Sequence, residues 1–201
     1  NYANTVSKGR LSQADMDARM ARIEPTLELA RVAGTDLAIE AVFEDMGVKK
    51  ELFGKLDALL GPDAILATNT SRLNVDEIAA ATSRPASVIG LHFFSPANVM
   101  RLVEVVRGRA SAPWVIATSM DAVRRIGKLP VLVGVCDGFV GNRMVAQYAR
   151  EAEFLLEEGA SPEQVDAALK AFGLAMGRFT MSDMAGLDIA WGRAKTFTDA
   201  P

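Results

Sequence analysis

The sequence contains very few of the residues that build disulfides, metal centres and membrane spans. Its single cysteine, Cys136, excludes an internal disulfide framework and a thiolate metal site. With one histidine and no carboxylates clustered at ligand spacing, we expect no metal centre. No apolar run reaches the length of a membrane-spanning helix, so we expect no membrane partner. Dispersed charges and a net charge of −3 predict no nucleic-acid surface.

The sequence also lacks the glycine pattern G-x-G-x-x-G that holds the phosphates of a nucleotide. Gly134, Gly138 and Gly141 have the wrong spacing and open the wrong kind of element for that purpose. The chain begins with Asn1 rather than Met, and residues 10–22 already have the pattern expected in the middle of a folded domain. We therefore expect the chain to be part of a longer protein.

What the sequence does contain is a regular alternation of apolar strands and amphipathic helices. Half of the 201 residues are apolar, which is enough for a substantial core. Wholly apolar strands are typical of a parallel sheet covered on both faces, and after Gly134 only helical patterns follow. We predict an α/β domain over residues 1–135 and an all-helical domain over residues 136–201. The predicted strands are 36–42, 64–68, 87–92, 102–106 and 129–133, and the main predicted helices are 44–60, 75–81, 112–127, 139–158, 161–172 and 181–195.

The single histidine, His92, ends one predicted strand, and Glu104 lies inside the next. A carboxylate within an apolar strand is costly unless it is paired, and the imidazole is the obvious partner. If the two strands are neighbours, the pairing orients the histidine as a general base near neutral pH. Two alternatives stay open: His92 is a structural hydrogen-bonding residue, or Glu104 faces water on an edge strand.

Polar residues follow the other predicted strands at the edge where ligands bind in open α/β sheets. Asn69 and Ser71 come after the strand 64–68, and Glu44 comes after the strand 36–42 and opens the helix that carries Lys49. Asn142 opens the first helix of the second domain. A base, an orienting carboxylate and a hydroxyl at one edge suit proton abstraction from an alcohol. The alternative is that these residues are helix caps and solvated charges.

Five segments taken together resemble the L-3-hydroxyacyl-CoA dehydrogenase family. They are Asp36–Glu44 (DLAIEAVFE), Thr68–Ser71 (TNTS), Gly90–Pro96 (GLHFFSP), Leu102–Val106 (LVEVV) and Asp137–Arg143 (DGFVGNR). The segments 155–166 and 184–188 are most similar to the dehydrogenase part of the multifunctional β-oxidation enzymes, which also carry an enoyl-CoA hydratase domain. The resemblance runs from about residue 3 to residue 198, and it implies a truncated Rossmann-type domain followed by the family's helical domain.

The resemblance implies NAD-dependent oxidation of (3S)-3-hydroxyacyl-CoA to 3-ketoacyl-CoA in fatty-acid β-oxidation. By position in the motifs, His92 is the base that takes the hydroxyl proton, and Glu104 orients its imidazole. Ser71 and Asn142 correspond to residues that hydrogen-bond the substrate oxygen and position the thioester. The implied compartment is the cytoplasm, or the peroxisome if the source is eukaryotic.

The cofactor implied by the resemblance is NAD, and Glu44, Lys49 and Asn69 correspond to positions near it. The chain departs from the family because the family's first strand, glycine-rich turn and second strand are absent. We therefore expect this chain alone to bind NAD weakly and to be inactive. The absent first strand lies beside the strand 36–42 in such sheets, so we also expect an exposed apolar edge and self-association or a homodimer.

Two other functions compete with this interpretation. One is a dehydrogenase of small hydroxyacids, although such enzymes generally use a lysine base, which argues against it when His92 and Glu104 are paired. The other is a dehydrogenase-like module without catalysis, retained for assembly or for binding CoA esters.

Overall fold

The computed structural model describes residues 2–186, and it is organised around one five-stranded sheet. The strands lie side by side in chain order, and all five were predicted to within a few residues of their bounds. The strands are β1 (Leu37–Glu40), β2 (Ile65–Thr68), β3 (Val88–Phe93), β4 (Leu102–Arg107) and β5 (Leu129–Gly134).

The sheet is mostly parallel, as predicted, but it contains one antiparallel pair. β1, β2 and β3 run in one direction, while β4 pairs antiparallel with β3 and parallel with β5. The prediction of a parallel sheet therefore holds for three of the four strand pairs and not for β3 with β4. The physical reason is the short connection over residues 94–101, since a parallel crossover needs about a dozen residues or more.

Eight α-helices flank or follow the sheet within the described residues. Side chains cap several of their first turns, as in α2, where the Ser12 hydroxyl accepts from the backbone N–H of Asp15. The last helix covers only part of the predicted helix 181–195, of which residues 187–195 lie outside the described residues. The helices are α1 (Tyr2–Ser7), α2 (Gln13–Met20), α3 (Met46–Leu59), α4 (Val75–Ala79), α5 (Pro113–Arg125), α6 (Gly141–Glu157), α7 (Pro162–Phe172) and α8 (Arg178–Ala185).

Two apolar clusters form the core, one on each face of the sheet. In β2, Leu66 belongs to the cluster that contains Phe53 of α3 and Ile78 of α4. Its neighbours Ile65 and Ala67 belong to the opposite cluster, which contains residues of α5. Alternate side chains of one strand thus enter opposite layers, which agrees with the prediction of a sheet covered on both faces.

The buried face of α3 differs from the predicted one. The apolar pattern of residues 44–60 predicts that Val48 lies on the buried face, but its exposed fraction is 42%. The neighbouring Lys49 is buried instead, with an exposed fraction of 1%. Asp45 caps the helix by accepting from the backbone N–H of Val48, and Glu40 on β1 receives the Lys49 ammonium. Apolar periodicity alone could not predict that Lys49 is buried in place of Val48, since its burial depends on the Glu40 carboxylate on β1.

Among the described residues, β1 has a neighbouring strand on one side only, and its Ile39 is 45% exposed. Self-association through this edge remains a prediction. Within residues 2–186, no helix combines the length and the apolar character that crossing a bilayer requires.

Candidate active site

The candidate active site is built around the pairing of β3 with β4, which sets His92 directly opposite Glu104. Nδ1 of His92 lies 2.8 Å from Oε2 of Glu104. Both residues are buried, with exposed fractions of 5% and 1%. The predicted contact is therefore present, and Glu104 does not face water. Because a carboxylate oxygen only accepts, Nδ1 carries the proton in this contact, and Nε2 is the nitrogen left to take another.

The second carboxylate oxygen of Glu104 is held by the start of α6. Oε1 accepts from the backbone N–H of Val140 at 2.9 Å and from that of Gly141 at 2.8 Å. These N–H groups belong to the positive end of a long helix, where a buried negative charge is stabilised. One carboxylate thus joins the imidazole on β3 to the start of α6.

Two phenylalanine rings surround the imidazole of His92. The ring of Phe94 lies 4.4 Å from it, and the ring of Phe139 lies 5.9 Å from it, both centroid to centroid. A Cβ at Gly141 would lie 2.7 Å from Cζ of Phe94, so the close approach requires glycine there. Phe139 itself has a φ of +48°, which an L-residue rarely adopts. The backbone at residues 138–141 is therefore shaped to bring this ring and the two N–H donors to the pair.

The two predicted asparagines connect the pair to the neighbouring strand ends. Oδ1 of Asn69 accepts from the backbone N–H of Phe93, next to His92, at 2.8 Å. Because its oxygen is engaged, the amide group of Asn69 is oriented by β3. Nδ2 of Asn142, in the first turn of α6, donates to the backbone carbonyl of Ser71 at 3.4 Å.

Glu44 organises the segment that follows β2. Its Oε1 accepts from Oγ1 of Thr70 at 2.7 Å, and from the backbone N–H and the hydroxyl of Ser71 at 2.8 and 3.0 Å. Burial by itself raises the pKa of Glu44, but these donors and the charge of Lys49 outweigh it. The pKa of Glu44 is therefore held below its ordinary value of 4.5, and the side chain is a carboxylate acceptor at neutral pH.

Lys49 lies behind Glu44 and bridges two carboxylates. Its Nζ is 2.6 Å from Oε1 of Glu40 and 3.4 Å from Oε2 of Glu44. The other oxygen of Glu40 accepts from the Thr68 hydroxyl at 2.7 Å. The alternative that Lys49 is a solvated surface charge is therefore wrong.

The seven predicted site residues thus lie together near the carboxyl ends of β1, β2 and β3, linked by side-chain contacts and through neighbouring residues of the chain. We call this region the carboxyl edge. Sequence reasoning gave no role to several other members. Glu40 carried the same signal that identified Glu104, a carboxylate in an apolar strand. Phe94 follows β3 and Phe139 lies in the loop before α6, and their contacts with the imidazole depend on a backbone path that the sequence pattern does not give. The missed residues are Glu40, Thr68, Phe94 and Phe139.

Comparison with known proteins gives two family matches that cover nearly the whole chain. The model of the 3-hydroxyacyl-CoA dehydrogenase NAD binding domain matches residues 1–136, and the model of the C-terminal domain matches residues 138–200. The peroxisomal bifunctional enzyme of Cavia porcellus is 56% identical over 160 residues. That alignment covers 80% of this chain and 22% of the relative. The chain therefore spans roughly a quarter of the length of the curated relatives it matches.

Solved structures give the same family likeness. The crystal structure of M. tuberculosis FadB2 superposes with a TM-score of 0.90 at 37% identity, over 93% of this chain and 67% of that one. The 3-hydroxybutyryl-CoA dehydrogenase of Escherichia coli K12 superposes with a TM-score of 0.87 at 39% identity, over 93% of this chain and 40% of that one.

Proposed function

Because the chain belongs to the 3-hydroxyacyl-CoA dehydrogenase family, we propose that the protein carrying it oxidises (3S)-3-hydroxyacyl-CoA to 3-ketoacyl-CoA with NAD, as a step of fatty-acid β-oxidation. The observation that carries this proposal is the buried contact between His92 and Glu104. Oxidation of an alcohol needs a group that takes the hydroxyl proton, and a neutral imidazole held by a carboxylate is suited to that task.

In the proposed reaction, Nε2 of His92 accepts the proton of the 3-hydroxyl group. The imidazole then becomes a cation with Nδ1 still bonded to Glu104, so the carboxylate stabilises the charge that forms. The two backbone donors on the other oxygen keep Glu104 from turning away as this charge develops. The Phe94 and Phe139 rings pack beside the imidazole and limit its rotation.

Ser71 and Asn142 act on the substrate in this proposal by hydrogen-bonding its oxygen. Their mutual contact through the Ser71 carbonyl supports a joint role, because it holds the turn after β2 against the first turn of α6. A substrate oxygen held there by two polar groups has few orientations available, which favours proton transfer to a fixed base.

The residues proposed to lie near the cofactor are Glu44, Asn69 and Lys49, and the buried Lys49 acts there through Glu44. They suit the polar ribose and carboxamide end of NAD, since Asn69 is oriented by a backbone N–H and Glu44 is a carboxylate beside an ammonium. When bound, NAD would supply the acceptor for the hydride from C3 of the substrate. The sequence contains no G-x-G-x-x-G to hold the pyrophosphate, so we propose that this chain by itself has little NAD affinity and no activity.

The proposed compartment follows the kind of cell. The name of the Cavia porcellus relative supports the peroxisome in a eukaryotic source, and the Escherichia coli match is consistent with the cytoplasm in a bacterial one. A homodimer is the proposed assembly, with the exposed side of β1 as a candidate contact.

The decisive experiment is a substrate comparison in the protein that carries this chain. NADH formation is followed with (3S)-3-hydroxybutyryl-CoA, its (3R) isomer and free 3-hydroxybutyrate. We expect turnover of the (3S) CoA ester alone. Preference for the free acid would favour a small hydroxyacid dehydrogenase, and no turnover together with tight binding of the CoA ester would favour a non-catalytic module.

A further inference from the structure

Glu40 is a buried acid for which the proposed reaction has no direct use. It ends β1 with a side chain that is fully buried. Its two oxygens nevertheless accept three hydrogen bonds. Oε1 receives the Lys49 ammonium at 2.6 Å and the backbone N–H of Val42 at 2.7 Å, and Oε2 receives the Thr68 hydroxyl at 2.7 Å. Three donors from three places leave this carboxylate a single orientation.

Lys49 links Glu40 to Glu44. Its side chain is as buried as that of Glu40, and its ammonium also contacts Oε2 of Glu44 at 3.4 Å. A buried ammonium between two carboxylates is placed by both of them. The shorter contact is to Glu40, so Glu40 determines how far Lys49 reaches toward Glu44.

Glu44 in turn holds Ser71, the hydroxyl of the proposed substrate site. Its Oε1 accepts from both the backbone N–H and the hydroxyl of Ser71. The result is a continuous series of contacts from the sheet interior to the substrate group. We call it the Glu40 relay, and it consists of Glu40, Lys49, Glu44 and Ser71.

We propose that Glu40 is a positioning residue for the reaction, and that it acts through the Glu40 relay by fixing where the Ser71 hydroxyl lies. This inference rests on the proposed function and adds a residue to it. A purely structural role does not explain the arrangement, because a buried ion pair stabilises a fold no better than apolar residues of similar volume. What the ion pair supplies instead is a fixed charge behind Glu44.

The test is a double-mutant cycle between Glu40→Gln and Ser71→Ala in the protein that carries this chain. Gln keeps the size of the side chain and an acceptor for Val42, but it removes the charge that holds Lys49. We expect Glu40→Gln to lower kcat/KM by about tenfold to a hundredfold, since small misplacements near a reacting group cost that much. In the Ser71→Ala background, the same change is expected to cost less than about twofold.

Asp57→Asn serves as the matched control, because Asp57 forms a half-buried ion pair with Arg84 away from the carboxyl edge. It is expected to lower the melting temperature without changing kcat/KM. An unchanged kcat/KM in Glu40→Gln, or an equal loss with and without the Ser71 hydroxyl, overturns the proposal. If Glu40→Gln does not fold, Thr68→Val removes one donor to Glu40 and enters the same cycle with the same criterion.

Crystal structures of the wild type and of Glu40→Gln separate this inference from the proposed function. If the wild type has no dehydrogenase activity, the proposed function fails, but the geometry still tests the relay. The relay predicts that Glu40→Gln loses the 3.0 Å contact between the Ser71 hydroxyl and Glu44. Retention of that contact with Lys49 displaced shows that Glu40 does not position Ser71.

Discussion

The carboxyl edge contains two buried pairs of an acid and a base, and they differ in the base. His92 and Glu104 are 2.8 Å apart across two antiparallel strands. Lys49 and Glu40 are 2.6 Å apart between a helix and the strand before it. Each acid uses its other oxygen to accept from neighbouring donors, which are backbone N–H groups for Glu104 and a threonine hydroxyl for Glu40.

The change of base from histidine to lysine indicates which pair is suited to proton transfer. An imidazole changes its protonation near neutral pH, so a histidine held by a carboxylate can accept a proton during a reaction. The Lys49 Nζ is held between two carboxylates at 2.6 and 3.4 Å, so it serves as a fixed point for both. The same local chemistry, a buried carboxylate with a cationic partner, thus fits catalysis in one place and positioning in the other.

The largest effect that would separate the pairs is expected for His92→Ala. Removing the proposed base should lower kcat by about 10²- to 10⁴-fold, which is the usual contribution of general acid–base catalysis. Glu104 keeps its two backbone donors in this variant, so the fold should persist. Steady-state rates with 3-hydroxybutyryl-CoA and NAD give the measurement. Arg109→Ala is the control, because that side chain is largely exposed and a surface ion pair contributes little. Full activity in His92→Ala would remove the basis of the proposed mechanism.

Lys49→Met should lower the free energy of unfolding, whereas His92→Ala should mainly lower kcat. It leaves the Glu40 carboxylate buried without its cation, and breaking a buried ion pair from one side costs about 3–5 kcal/mol. Urea unfolding of the wild type and the variant measures the free energy of unfolding. The double variant Lys49→Met with Glu40→Gln should recover part of the loss, since no buried charge then remains unpaired. If Lys49→Met unfolds like the wild type, the two pairs do not differ in the way argued here.

Gly141→Ala tests the His92 side of the comparison through packing alone. The added Cβ would lie 2.7 Å from Cζ of Phe94, and overpacking of this kind costs about 1–3 kcal/mol. We expect Phe94 to shift against the imidazole, so kcat should fall more than the affinity for substrate. Gly61→Ala is a suitable control, because a Cβ there has nothing within 4 Å. Equal kinetics in the two variants would show that the ring does not restrain His92.

How much the sequence could predict differs between the two pairs for a physical reason. Five apolar strands and the pairing of His92 with Glu104 were predictable, because both residues stand out within strands that are close in the chain. The antiparallel direction of β4 was not predicted, although the connection between the predicted strands 87–92 and 102–106 is already too short for a parallel crossover. Glu40 was equally conspicuous within an apolar strand. Its partner Lys49 was not identified, because the apolar pattern of the helix predicts that Val48 is buried there instead. The contacts at Val140 and Gly141 are made by backbone groups, and side-chain patterns carry no information about them.

The smallest predicted effect is the pH dependence of stability that comes from Glu44, which contacts Lys49. The pKa of Glu44 is lowered in the folded protein because hydrogen bonds from Thr70 and Ser71 and the charge of Lys49 outweigh burial. The unfolded chain therefore takes up this proton at a higher pH than the folded chain does. The stability contributed by the contacts of Glu44 is complete above the ordinary pKa of 4.5 and is lost as pH falls through the lowered value. Urea unfolding at neutral pH and at about pH 4 should show a loss in the wild type that is smaller in Glu44→Gln, which cannot take up the proton. An identical loss in both proteins would mean that Ser71 is not held by the charge of Glu44, and the link between the two pairs would then rest on the contacts of Asn69 with Phe93 and of Asn142 with the Ser71 carbonyl.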